Sequence, residues 1–199
     1  MSYKAFWIGL AIGAISTCFV GQWDLFAAGK AGESSKCIPA ETVADYIHSV
    51  IQADRTFYTT DIVERMQMRG IVVASENWRE TSRLPLPAQF LMEAGRLVAQ
   101  EGGGLRYRLI SHWAINKTNR PATDFERTGL TEILVNPGRP YIAISTAEGT
   151  PVFQALYPDT AVSQTCVGCH NAHPSSPKRD FKPRDVMGGM VLTIPLPAR

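Results

Sequence analysis

Cys166-Val167-Gly168-Cys169-His170, with His173 three residues further on, places two thiols and two imidazoles inside eight residues near the end of the chain. A Pro-broken basic run follows, to Phe181. The stretch interrupts a region of strand signals, so whatever fold the chain adopts must close a sheet around it. On either side lie "PYIAIST", "AEG" and "TPVFQALYP", which read as a β-hairpin, and "GGMVLTIPL" at 188–196, which reads as a final strand. "LRYRLI" at 105–110 alternates in its first residues and reads as another strand. The stretch itself reads as a short helix from about Thr160, then a Pro-rich loop.

The elements before the strands are helical. Pro39 to about Met68 forms one long helix: Pro39 suits the first turn, and Glu41 and Asp45 suit its positive end. Val43, Ile47, Val50, Phe57, Ile62 and Met66 recur at helical intervals and are expected to face the core. "FYTT" at 57–60 is a weak helix former, so a bend is expected there, and Gly70 is the expected stop. "SENWRETSRLPLP" reads as irregular. A second helix spans 87–100, with Phe90, Ala94 and Leu97 on one face, and the glycines at 102–104 end it. Hairpin-joined strands backed by helices imply an α+β fold with an antiparallel sheet. A long N-terminal helix leading into a small antiparallel sheet is the layout of PAS-like sensor domains.

Residues 1–38 stand outside that fold. Lys4 precedes the apolar run Ala5 to Gly21, the pattern of an export signal. A spanning helix needs about 20 apolar residues, so anchor and cleaved signal both remain open. Cleavage would fall near Ala27-Ala28. A lipoprotein reading would use Cys18, but Thr17 stands where a small residue is preferred. The expected organisation is a signal peptide or anchor over 1–28, a tether over 29–38 and a folded domain over 39–199. Each reading puts the domain outside the cytoplasm, in a periplasm or thylakoid lumen. The formal net charge of +2 and the lack of a Lys/Arg run give no face for nucleic acid.

C-x-x-C-H is the attachment sequence for c-type haem. Two thiols three residues apart on a helical turn can reach the two vinyl groups of one porphyrin edge. The histidine that follows then reaches the iron. Cys166 and Cys169 are therefore the expected thioether positions and His170 the proximal ligand of a single haem c. Three other readings compete. A structural zinc site would use Cys166, Cys169 and His173, with His170 or Cys37 as the fourth ligand. A thioredoxin-like pair would need a neighbouring βαβ unit. A plain disulfide across Cys166 and Cys169 is the simplest. The sixth iron position is open to Cys37, His48, His112, His173, Met187 or Met190, or to no protein ligand. His173 is too close in sequence to His170 to reach the opposite face easily, and reads as a turn cap or as a neighbour of a haem propionate. Arg55, Arg127, Lys178 and Arg184 are candidate partners for haem propionates.

"ADYIHSVIQADRTFYTTDIVERMQ" (44–67) and "CVGCHNAHPSSPKRDFKPRDVMGGMVLTIPL" (166–196) resemble a bacterial family long catalogued as a domain of unknown function with a C-x-x-C-H motif. That family includes small exported cyanobacterial cytochromes and sensor regions of histidine kinases. The resemblance implies a PAS-like fold with one haem c, thioether links at Cys166 and Cys169, and proximal ligation by His170. Members can use a Cys/His axial pair, and in the mature part here only Cys37 is left for that role. The implied function is a redox or small-ligand sensor, or a low-potential electron carrier, rather than an enzyme. A diatomic gas is a candidate ligand. Within these 199 residues no kinase or methyl-accepting region follows the domain, so any signal is expected to pass to a redox partner or a membrane signalling protein. Peroxidase-type catalysis would need an open iron face with His112 as distal base. A haem-free binding module stapled by zinc or a disulfide is the reading from a different class.

Overall fold

A computed structural model describes residues 37–147 and 149–197. The expected signal or anchor, the lipoprotein cysteine and all of the tether but Cys37 and Ile38 lie outside them. The chain divides into two units, Met1–Cys37 and Ile38–Arg199, and the architecture below is that of the second. Among the described residues no helix is long and apolar enough to cross a membrane.

The N-terminal helix runs without a break over 29 residues, as α1 (Ala40–Phe57), a π-helical turn (Tyr58–Glu64) and α2 (Arg65–Met68). The expected bend at "FYTT" is instead this π turn. Thr56, Thr59 and Thr60 each donate a hydroxyl hydrogen bond to the carbonyl four residues back, at 2.7–3.0 Å. Such back-bonding competes with the regular ladder and widens it without breaking the helix. The stop falls at Gly70 as expected. Gly70 has φ +67, and the pair Ile71 N–H to Met66 O and Gly70 N–H to Gln67 O closes a Schellman motif.

Next come β1 (Ala74–Ser75), α3 (Trp78–Thr81) and β2 (Leu84–Pro85), a small parallel pair around one helical turn where the sequence reads as irregular. Then follow α4 (Pro87–Gln100), β3 (Arg106–Ile110), a 3-10 turn (Lys117–Asn119), α5 (Asp124–Val135), β4 (Tyr141–Ala147), β5 (Thr150–Thr160), α6 (Gln164–Ala172) and β6 (Val186–Pro195). The four long strands form one antiparallel sheet in the order β3-β6-β5-β4. This is the expected α+β arrangement, a long N-terminal helix on an antiparallel sheet.

Helices cover both faces of that sheet. Phe153, Ala155 and Tyr157 of β5 point to one face, with Met190, Leu192 and Leu109, and pack under Ala44, Ile51 and Leu91 of α1 and α4. Leu156, Val191 and Ile110 point to the other, against Leu130 and Ile133 of α5. Two-sided burial explains why β5 reads as a nearly continuous apolar run rather than an alternating one. The sequence reading missed α5, although "TDFE" carries its start signal. Thr123 Oγ1 accepts from the Glu126 N–H, while Glu126 accepts from the Thr123 N–H. The Glu126 carboxylate is buried and also takes a two-pronged ion pair from Arg108 of β3, at 2.9 and 3.0 Å.

The buried helix faces are shifted from those expected. In the first helix the buried line is Ala44, Ile51, Arg55, Thr59 and Val63, while Val50 and Phe57 are 61% exposed. Two polar residues enter that line because each has a partner there, Asp159 for Arg55 and the Arg55 carbonyl for Thr59. In α4, Leu91 and Gly95 turn inward and Leu97 outward. Gly95 permits this, since a Cβ there would stand 2.7 Å from the Tyr107 carbonyl oxygen of β3.

Strands β5 and β6 lose register between Asp159 and Thr160, at the end of the sheet from which α6 departs. Gly188 sits opposite Asp159 at this irregularity, and a Cβ on it would meet the Ile110 carbonyl oxygen at 2.4 Å. Gly188→Ala should therefore destabilise the fold by about 1–3 kcal/mol. Gly103→Ala, with open space around it, should stay within about 0.5 kcal/mol of the parent. Urea unfolding of the two variants beside the parent checks the contrast.

Candidate functional site

Helix α6 is nine residues long and carries Cys166, Cys169 and His170. Its start follows the Asp159/Thr160 irregularity by one short loop, so the sheet end sets where the helix begins. Val167 is the buried residue of α6, packed with Phe181 and Met187 and edged by Trp113, Ala161 and Cys166. That leaves Cys166 half-buried, Cys169 exposed and His170 half-buried. Neither Cys166 nor Cys169 is in a disulfide, so the simplest of the competing readings is not what the structure contains.

Two more contacts hold the helix and the loop after it. Asn171 uses its whole amide on the backbone of Phe181: Nδ2 donates to the Phe181 carbonyl at 2.9 Å, and Oδ1 accepts from the Phe181 N–H at 3.0 Å. His173 Nδ1 accepts from the Ser175 N–H at 3.1 Å, and its Nε2 lies 3.1 Å from Glu76 Oε1. Both His173 nitrogens are thus engaged, in a turn and in a tie to the β1–α3 connection. His173 is a cap, as its spacing suggested. Among the described residues no three His, Cys, Asp or Glu side chains converge as a metal site, so the zinc reading has no preformed ligand set there.

His170 differs from His173. Its Nδ1 is buried and has no hydrogen-bond partner among the described residues. The Phe181 ring stands edge-on to it, 6.0 Å between centroids at 87°. Burial depresses the His170 pKa; the Asp159 charge opposes that, and Arg55 and His173 add to it. His170 is therefore held as a neutral imidazole, the form that can offer a lone pair to a metal.

Arg55 projects from the long helix toward this corner. Its side chain is 8% exposed and forms an ion pair with Asp159, itself 12% exposed. Burial is the largest single influence and disfavours its charge, but the attraction and hydrogen bond of Asp159 and the charge of Cys166 outweigh it, so the pKa lies above its ordinary value. Arg55 Nε is the other buried side-chain atom without a partner among the described residues. Lys178 lies on the opposite side of the cluster. Its ammonium is 5.0 Å from the Phe181 ring and 5.6 Å from the Trp113 ring, and pairs with Asp180 at 2.5 Å. The other two basic candidates are elsewhere engaged or exposed: Arg127 binds Asp124 and the Ala122 carbonyl at the start of α5, and Arg184 is exposed with φ +72.

The remaining iron-ligand candidates separate by surroundings. His48 of α1 stacks flat on Tyr157, 3.9 Å apart at 6°, and Tyr157 donates its hydroxyl to Asp45 at 2.7 Å. His48 also lines an open cleft along the helix, with Gln52, Ala53, Thr56, Phe57 and Asp61. His112 is exposed. Met190 is 1% exposed within the core under α1 and α4, and Met187 packs beneath Val167. Both methionines serve packing. Cys37 is exposed and belongs to the N-terminal unit.

The donors present fit a covalently held haem. Two thiols without a disulfide and a half-buried imidazole share one short helix. The Tll0287-like family model matches residues 37–195, most of the chain, and the chain belongs to that family. It is also similar to the solved structure titled "Crystal structure of the cyanobacterial heme-protein Tll0287", at 14% identity and a TM-score of 0.48, over 81% of this chain and 99% of that one. No curated protein matches.

His48 sets a testable pH dependence. Burial, against the charges of Asp45 and Asp159, depresses its pKa below the ordinary 6.5. The unfolded chain therefore takes up a proton near pH 6.5 that the folded chain resists, and stability is lost as the pH falls through that value. His170 is depressed in the same sense. Melting curves from pH 7.5 to 5.5 should show a falling midpoint, with a shallower fall in His48→Phe, which keeps a ring on Tyr157. An identical slope in that variant would remove His48 from the effect.

Proposed function

We propose that this member of the Tll0287-like family is an extracytoplasmic c-type haem protein with one covalently attached haem. It would act as a redox or small-ligand sensor, or as a low-potential electron carrier, and not as an enzyme. The observation that carries the reading is α6: two thiols without a disulfide at i and i+3, followed at once by a half-buried imidazole on the same short helix. Membership of the Tll0287-like family supports the same reading.

Cys166 and Cys169 would hold the group by thioether bonds, and His170 would present Nε2 to its iron. When bound, the haem supplies one-electron chemistry between Fe(III) and Fe(II). Arg55 and Lys178 are the proposed propionate partners; each already has a carboxylate beside it, Asp159 and Asp180. Cys37 is the proposed sixth ligand. A thiolate stabilises Fe(III) and so lowers the potential.

Sensing is favoured over plain electron carriage by the Arg55–Asp159 pair. A charge change beside His170 acts on Asp159, and Asp159 is bound to the long helix. The output would pass from that helix to a redox partner or a membrane signalling protein.

Protein produced with a cytochrome c maturation system should retain haem stain after denaturing electrophoresis, and the Cys166→Ala/Cys169→Ala double variant should lose it. His170→Ala should keep the stain and shift the Soret band. Cys37→Ala should raise the potential and alter the Soret and near-infrared charge-transfer bands. A colourless, unstained parent would sink the haem reading, and unchanged spectra in Cys37→Ala would remove Cys37 from the iron.

A further inference from the structure

Among the described residues the ring of His170 meets one aromatic ring, that of Phe181, and Phe181 is unusually well held for a loop residue. It is 4% exposed. Its own backbone N–H and carbonyl are both taken by the amide of Asn171, the residue directly after His170. Trp113 stands edge-on to its ring, 5.6 Å away at 82°, and the Lys178 ammonium lies over its face. The eleven residues from Asn171 to Phe181 thus close a loop whose two ends are pinned to each other. At the pinned point the Phe181 ring stands perpendicular to the His170 imidazole, 6.0 Å between centroids.

A loop of this kind has two explanations. It could simply keep the Pro-broken segment folded, in which case any well-packed apolar side chain at 181 would serve. It could also fix an imidazole plane. For a metal-bound histidine the plane matters, because neighbours that orient the ring and set its donor strength tune the metal. In a low-spin ferric haem the angle between the imidazole plane and the iron–nitrogen axes splits the iron orbitals and so sets the g values. We propose that Asn171 and Phe181 are positioning residues for His170: the Asn171 amide locks the Phe181 backbone, and the Phe181 ring sets the plane of the axial imidazole. This rests on the haem reading above and deepens it.

The test uses haem-loaded protein, with ferric EPR and spectroelectrochemistry beside a urea midpoint. Phe181→Leu keeps an apolar side chain of similar bulk and should fold. It should move the principal g values by several linewidths and change the reduced-to-oxidised ratio at a fixed electrode potential by about tenfold. Asn171→Ala should move both readouts in the same direction. The double variant should move them no further than the larger single change, since the two residues act in series. Met187→Leu alters packing in the same cluster without touching the imidazole edge, and should leave the EPR spectrum at that of the parent. If Phe181→Leu lowers the urea midpoint but leaves g values and potential unchanged, the loop is a fold element only and the proposal is overturned. If Met187→Leu moves the spectrum as much as Phe181→Leu does, the effect is general loosening and the proposal again fails. A parent without haem stain overturns the functional reading itself, a result distinct from either.

Discussion

The ion pair between Arg55 and Asp159 joins the long helix, the end of the central strand and the corner that holds His170. A guanidinium this deeply buried is tolerable only against a carboxylate, and losing one partner of such a pair costs about 3–5 kcal/mol. The constraint fixes more than stability. It places Arg55 in the inward line of the helix, where the apolar pattern alone would have put Val50 or Phe57. It also holds Asp159 at the register change from which α6 departs.

The four cysteine and histidine side chains of the C-x-x-C-H segment have separate tasks. His173 is spent on a turn and on Glu76. Cys166 packs half-buried beside Val167, which anchors α6, while Cys169 is exposed. His170 alone keeps a buried nitrogen without a partner. Each residue of α6 advances about 100° around the axis, so Cys166, Cys169 and His170 meet different environments, and His173 follows the helix as its cap. Packing on one side, from Val167, Phe181 and Met187, then decides which side chain is buried and which is not.

Much of the architecture was legible in residue order. The helix over 40–68, its stop at Gly70, the helix over 87–100, the hairpin and the last strand all carry local signals: caps, glycines, periodicity and turn residues. Helix α5 carried such a signal as well, in Thr123 and Glu126, but its apolar residues alternate with small and polar ones and show a weak face. The inward faces of α1 and α4 were not legible. A buried polar residue cannot be told from an exposed one until its partner is known, and Asp159 is 104 residues from Arg55. The inward turn of Gly95 depends likewise on a carbonyl of β3.

The chain's order alone sets an α+β domain with a short Cys/His helix inserted between two strands, because covalent spacing and helical or strand period are local properties. It also singles out Cys166, Cys169 and His170, because attachment at that spacing is a matter of one turn. It does not reveal that His173 reaches Glu76, that Asn171 reaches Phe181 or that Arg55 belongs to Asp159. Those depend on which groups meet across the fold, and burial then makes each meeting decisive: an unpaired polar atom is expensive inside and nearly free in water.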